Sequence, residues 1–210
     1  MTQVQTVTRA YNFEIRANND EKHGDYITGR PIVYNSKTDL GYFDEIIEAG
    51  ALEGANLKDV RFLVNHNTDM IPLARSRNNN KNSTMQFEVD EDGLLLKRVN
   101  LDTENNSDAR NLYSAIKRGD ITSMSFMFTI DDEEWENMET DHPTRHIRKI
   151  GQVFEVSAVT FPAYEATEIS ARNKEALESV KATLESVKRS LDSDKQKLEL
   201  EKAKNRNKKF

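Results

Sequence analysis

Cysteine is absent from the 210-residue chain, so no disulfide staples the fold and no thiolate can act as nucleophile or metal ligand. Proline (4) and glycine (8) are too sparse for a linker-like or low-complexity protein. Positive charge is in deficit, with 30 Lys and Arg against 36 Asp and Glu and a net charge of −6. A nucleic-acid module normally carries a basic excess, so no nucleic-acid partner is expected. No apolar run approaches the roughly 20 residues that span a bilayer, and residues 1–9 are polar, without the apolar stretch of a signal peptide. Those absences predict an intracellular protein with no membrane partner. What remains, 36% apolar and 31% charged residues, is enough at this length to bury a sizeable core.

Residues 10–172 read as one strand-rich domain, preceded by a flexible segment at 1–9. Tyr11, Phe13 and Ile15 alternate with polar neighbours, and residues 26–34 form a β-rich run ended by Asn35-Ser36. Phe43, Ile46 and Ile47 fall at helical spacing, which predicts a short helix over 42–51. Residues 60–66 alternate as a strand with Val60, Phe62, Val64 and His66 on one face. Asp90-Glu91-Asp92-Gly93 between two apolar runs signals a hairpin. Residues 107–118 suit a helix with Ser107 or Asp108 as N-cap and Gly119 as terminator. Further strands are expected over 121–130 and 147–161, separated by an acidic, irregular stretch. Beyond that, Leu177, Val180, Leu184, Val187, Leu191 and Leu198 recur at steps of three and four, broken at Asp194. Residues 173–201 therefore read as an amphipathic, coiled-coil-like helix that pairs with another helix or lies on its own domain. The basic residues 202–210 read as a disordered tail.

Only four histidines are available for chemistry. His23 sits in a polar turn. His142 and His146 have zinc-like spacing, but Pro143 lies between them and the H-E-x-x-H pattern is missing, so no metal or cofactor is expected. His66 ends an apolar strand between Asn65 and Asn67, where an imidazole can be oriented. Met124, Phe126 and Phe128 put one face of their strand into the core, leaving Ser123, Ser125, Met127 and Thr129 on the other. A serine there is a weak nucleophile unless a base reaches it, and without one these are ordinary strand serines. Glu155 interrupts an almost uniformly apolar strand. A carboxylate in that position costs several kcal/mol unless partnered, by a histidine or by an arginine such as Arg148 or Arg75.

Six segments, in order, resemble the prohead (capsid-maturation) proteases of tailed bacteriophages, a family related in fold to the herpesvirus assemblins. They are Gly29-Arg30-Pro31-Ile32-Val33-Tyr34-Asn35, then residues 43–52, Leu63-Val64-Asn65-His66-Asn67, Pro72-Leu73-Ala74-Arg75-Ser76, Gly119-Asp120-Ile121-Thr122-Ser123-Met124-Ser125-Phe126, and Glu155-Val156-Ser157-Ala158 continuing to Pro162-Ala163. The resemblance implies Ser125 as nucleophile, His66 as base and Glu155 as third member of a Ser-His-Glu serine endopeptidase. Ser123 and Met127 stand where the family commonly has glycine, which makes Ser123 a rival nucleophile. The fold implied is mainly β, an antiparallel β-barrel with peripheral helices. Capsid and scaffolding proteins, and the chain itself, would be the substrates, inside the assembling procapsid in the host cytoplasm. Self-association follows from the assemblin relation, and backbone amides near Ser125, with Arg75 as helper, would hold the oxyanion. The alternatives are a non-catalytic scaffolding or capsid-assembly protein, suggested by the acidic charge and helical tail, and a metal-dependent hydrolase using His66 and Asp69.

Overall fold

The computed structural model describes residues 6–11, 15–40, 43–138 and 140–161, together with four isolated helical positions at 182, 185, 186 and 189. Eleven strands and one helix follow in the order β1 (Thr6–Tyr11), β2 (Ile15–Asp20), β3 (Gly24–Val33), β4 (Lys37–Asp39), β5 (Asp44–Ile47), β6 (Asp59–Val64), β7 (Ala74–Arg77), β8 (Met85–Asp90), β9 (Gly93–Asn100), α1 (Ser107–Arg118), β10 (Ser123–Glu136) and β11 (Thr144–Val159). They build two sheets, neither of them closed. One has seven strands, with the path β1-β10-β11-β5-β4 and with β6 also on β11 and β7 on β6. The other has four strands in the order β2-β3-β9-β8. The mainly β character matches the sequence reading, but the expected antiparallel barrel does not form. Strand β11 is shared lengthwise: its first half pairs in parallel with β5 and its second half in parallel with β6. One sixteen-residue strand thereby serves two short partners in succession, and the sheet branches where a barrel would continue.

The core is one cluster drawing on both sheets, including Ile27, Ile32, Leu94 and Leu96 from the small sheet and Met124, Phe126, Phe128, Val153 and Val156 from the large one. Phe126 and Phe128 stack with ring centroids 4.7 Å apart, and truncating either to alanine would cost about 3–5 kcal/mol. Helix α1 covers β2 and β3 with Ala109, Leu112 and Ile116. Its N-cap is Asn106, one residue earlier than expected, whose Oδ1 accepts from the amides of Asp108 and Ala109 at 2.9 and 3.2 Å. Gly119 ends the helix at φ 82°, a conformation open to glycine at little cost. The predicted hairpin is present as β8 and β9. Arg30 grips its turn through two hydrogen bonds to Asp90, 2.5 and 2.7 Å long.

Two local expectations are corrected. The helix predicted over 42–51 is strand β5, because the β-branched pair Ile46-Ile47 lies between β4 and β11 and the ladders satisfy its backbone. The acidic stretch after Ile130 is not irregular until Asn137, since β10 runs on to Glu136 against β11 through successive register shifts. At the other end, residues 6–9 of the segment read from sequence as flexible form β1 with Ala10 and Tyr11, antiparallel to Ser125 and its neighbours. The helix expected over 173–201 and the tail beyond lie outside the described residues apart from the four isolated positions. These are helical and exposed, with Arg189 and Glu185 in an i,i+4 ion pair of 2.9 Å.

Candidate active site

The second half of β11 lies between β10 and β6, and the residues singled out from sequence converge there. Register fixes the arrangement: Ser125 stands opposite Ser157, and Ser157 opposite Leu63. Residues directly opposite in an antiparallel pair share a face with Cβ atoms about 5 Å apart, which puts the Ser125 and Ser157 side chains side by side. Met127 stands opposite Glu155 in the same register, so Glu155 extends that face by one step. A bulge follows: Phe128 pairs with Val153, leaving Phe154 as the extra residue immediately before Glu155.

Strand β6 ends at Val64, and the chain then turns through two residues with positive φ, Asn65 at 51° and His66 at 56°. The alternation read from sequence stops there, so His66 does not continue the apolar face of Val60 and Phe62. Instead the turn carries the imidazole over β11, where Nδ1 lies 2.6 Å from Glu155 Oε1. Asn65 anchors the turn with two bonds to Thr160, from its Nδ2 to the Oγ1 at 3.0 Å and from the Thr160 amide to its Oδ1 at 2.9 Å.

Glu155 is 2% exposed and both its oxygens are engaged, Oε1 by the imidazole and Oε2 by the Ser157 hydroxyl at 2.5 Å. A tautomer with its proton on Nδ1 would donate to this oxygen and leave the Nε2 lone pair free. The arginines considered as partners are committed elsewhere. Arg148 pairs with Glu134 at 2.7 Å, and Arg75 binds Asp59 through Nε and Nη2 at 2.5 and 2.7 Å. The Arg75 guanidinium in turn holds the Asp59 carboxyl below its usual range.

Ser125 is 0% exposed, and its hydroxyl donates to the main-chain carbonyl of Arg9 on β1 at 2.7 Å. Among the described residues, no hydrogen bond joins it to His66. The face opposite the core side chains is therefore covered too, as Ser123 at 1% and Thr129 at 7% also show. Ser123 lies opposite Val159, one further step from Ser157 and Glu155 than Ser125. Arg9 is itself fastened at its far end: its Nε and Nη2 donate to Glu45 at 2.5 and 2.8 Å. Buried Arg145 approaches the same carboxylate at 3.5 Å, bonds Glu133 and lies 5.6 Å from the Trp135 ring centroid. Sequence reading missed both Arg9 and Ser157. Nothing in an alternating strand separates a buried serine that bonds a carboxylate from any other small hydroxyl.

The remaining histidines stand apart from this cluster. His23 bonds Asp20 within its turn at 2.9 Å. His146 lies 3.1 Å from Glu48 and lines a pocket of about 410 Å³ with Asn35, Ile46, Glu48 and Ala49. His142 joins Asp39 and Asp44 in the one group of ligand-type atoms within 4.8 Å of one another among the described residues. There the Lys37 ammonium already sits against Asp44. Asp69, paired on paper with His66 as metal ligands, is not part of that group.

A family model described as caudovirus prohead serine protease matches residues 11–183. No curated protein and no solved structure matches the chain.

Proposed function

Because the chain belongs to the caudovirus prohead serine protease family, we propose that it cuts capsid and scaffolding proteins during procapsid maturation with Ser125 as nucleophile, His66 as base and Glu155 as the acid that orients the base. Proteases of this family act within the assembling procapsid, and capsid proteins are the substrates that role implies. The observation that carries the residue assignment is the half-buried Nδ1–Oε1 contact of 2.6 Å, whose acid stands on the strand paired with that of Ser125.

In the proposed reaction, Nε2 of His66 takes the proton from Ser125 as Oγ attacks the carbonyl carbon of the scissile peptide. The carbon–nitrogen bond then breaks, His66 gives the proton to the departing amine, and water repeats the sequence to release the acyl group from Oγ. Glu155 keeps Nδ1 protonated throughout and offsets the positive charge that the ring gains in each transition state. A substrate chain meets a hydroxyl that is 0% exposed only after β1 leaves the edge of β10. That departure also frees the β10 edge amides and carbonyls, which can then pair with an extended substrate and supply donors to the oxyanion.

The sealed hydroxyl also favours a second reading, a non-catalytic assembly protein in which Ser125 is a structural serine. Incubation of the full chain with its capsid precursor, with cut termini mapped by mass spectrometry, separates the two. The protease reading expects discrete cuts by the parent and none by Ser125→Ala with an unchanged melting temperature. Equal processing by Ser125→Ala removes Ser125 from the mechanism, and an inert parent supports the assembly role.

A further inference from the structure

We propose that Ser157 is a positioning residue, a clamp that holds the base and its orienting acid in one arrangement. This rests on the protease reading of the same site. Its hydroxyl makes two bonds of opposite sense. It donates its only proton to Glu155 Oε2 at 2.5 Å and accepts from the main-chain amide of His66 at 3.1 Å. A hydroxyl can do both at once, and at 0% exposure no water competes for either bond.

Each bond solves a separate geometric problem. A glutamate on a strand has three rotatable side-chain torsions, and a single contact to the imidazole would leave its carboxyl group free to swing. Fixing Oε2 to a residue two positions along the same strand removes that freedom and directs Oε1 at Nδ1. The second bond acts on the backbone. The last ladder bond between β6 and β11 runs from the Asn65 amide to the Ala158 carbonyl at 2.9 Å. The next amide, that of His66, has turned into the left-handed region and reaches a side chain instead. Two consecutive non-glycine residues at positive φ hold a sparsely populated backbone conformation, and the Ser157 bond helps to hold the second of them. Ser157 also lies beside Ser125 in the register, so the clamp occupies the strand position nearest the proposed nucleophile. It touches no reacting atom, and its effect passes through His66 and Glu155.

The test compares the full-length parent with Ser157→Ala by steady-state cleavage of capsid precursor, by thermal melting and by nuclear magnetic resonance of the His66 ring protons. The clamp predicts a kcat about 10²-fold lower, an unchanged KM, a lowered melting temperature because a buried carboxylate oxygen loses its donor, and a moved His66 Nδ1 proton resonance. A residue that only fills space would move the melting temperature and leave that resonance in place. Parent-like kcat together with parent-like His66 resonances overturns the proposal. Should Ser157→Ala fail to fold, amide exchange in the parent decides. A protected His66 amide is expected, and exchange at the rate of an open loop rejects the clamp. If the parent chain cuts nothing, the protease reading falls, while exchange and the ring resonance still judge the clamp.

Discussion

At Glu155 a carboxyl group has been taken out of water and set between two polar partners, an imidazole and a hydroxyl. Such burial is sustained only by specific partners, which is why a lone carboxylate in an apolar strand could be read from sequence as facing something. Which partner faced it could not be read, because the approach of His66 depends on the two-residue turn after β6, and neither Asn65 nor His66 demands positive φ by its composition. Glu155→Gln keeps the volume and forfeits the charge. It should lower kcat about 10⁴-fold, the loss known when a triad carboxylate becomes an amide and the imidazole loses its tautomer. Single-turnover cleavage measures this, and a loss of less than tenfold would leave Glu155 with a structural part only. Ser125 was legible as a strand residue flanked by core side chains. Its seclusion was not, since that depends on Arg9, 116 positions away along the chain.

On the proposed mechanism, strand β1 is the element on which access to Ser125 turns. It is held by its ladder to β10 and by the Arg9 guanidinium on buried Glu45. Arg9→Ala removes the second fastening while Arg145 still faces Glu45. The amides of Val7 to Arg9 should then exchange faster than those of β10, and capsid precursor should be cut sooner after mixing. Unchanged exchange would mean that the ladder alone retains the strand. Elsewhere, elements with their own signals were legible: the β8–β9 hairpin from its acidic turn and glycine, and α1 from its terminating glycine and its apolar positions. Strand β5 was misread because four residues carry too little pattern to outweigh a chance helical spacing, and its pairing with β11 is a tertiary fact. The hairpin also offers a stability test. A Cβ on Gly93 would lie 2.1 Å from the Ile32 carbonyl oxygen, at φ 131°. Gly93→Ala should lose about 3 kcal/mol or more, seen as a lower urea midpoint.

For the molecule as a whole, the mainly β class was visible in the alternation, whereas the open, branched sheet was not. Only the pairing of β11 with both β5 and β6 determines it. The same chain carries several carboxylates held below their ordinary range: Asp90 by hydrogen bonds from Arg30, Asp59 by Arg75, and Asp25 by Thr103. Asp90 is depressed from 3.8 to about 2. Because the folded value is the lower one, its contribution is complete above about pH 4 and is lost as the pH falls toward about 2. Urea midpoints should drop over that interval, less steeply in Asp90→Asn; equal slopes would exclude the Arg30–Asp90 pair as a cause. The carbonyl of Arg9 resting on the Ser125 oxygen has a consequence for how such an enzyme is recognised at the bench. Fluorophosphonate probes, which report a serine hydrolase by alkylphosphonylating its alcohol, need the oxygen within reach. Freshly purified protein should therefore stay dark on a labelling gel and light up only once its leading strand has been loosened.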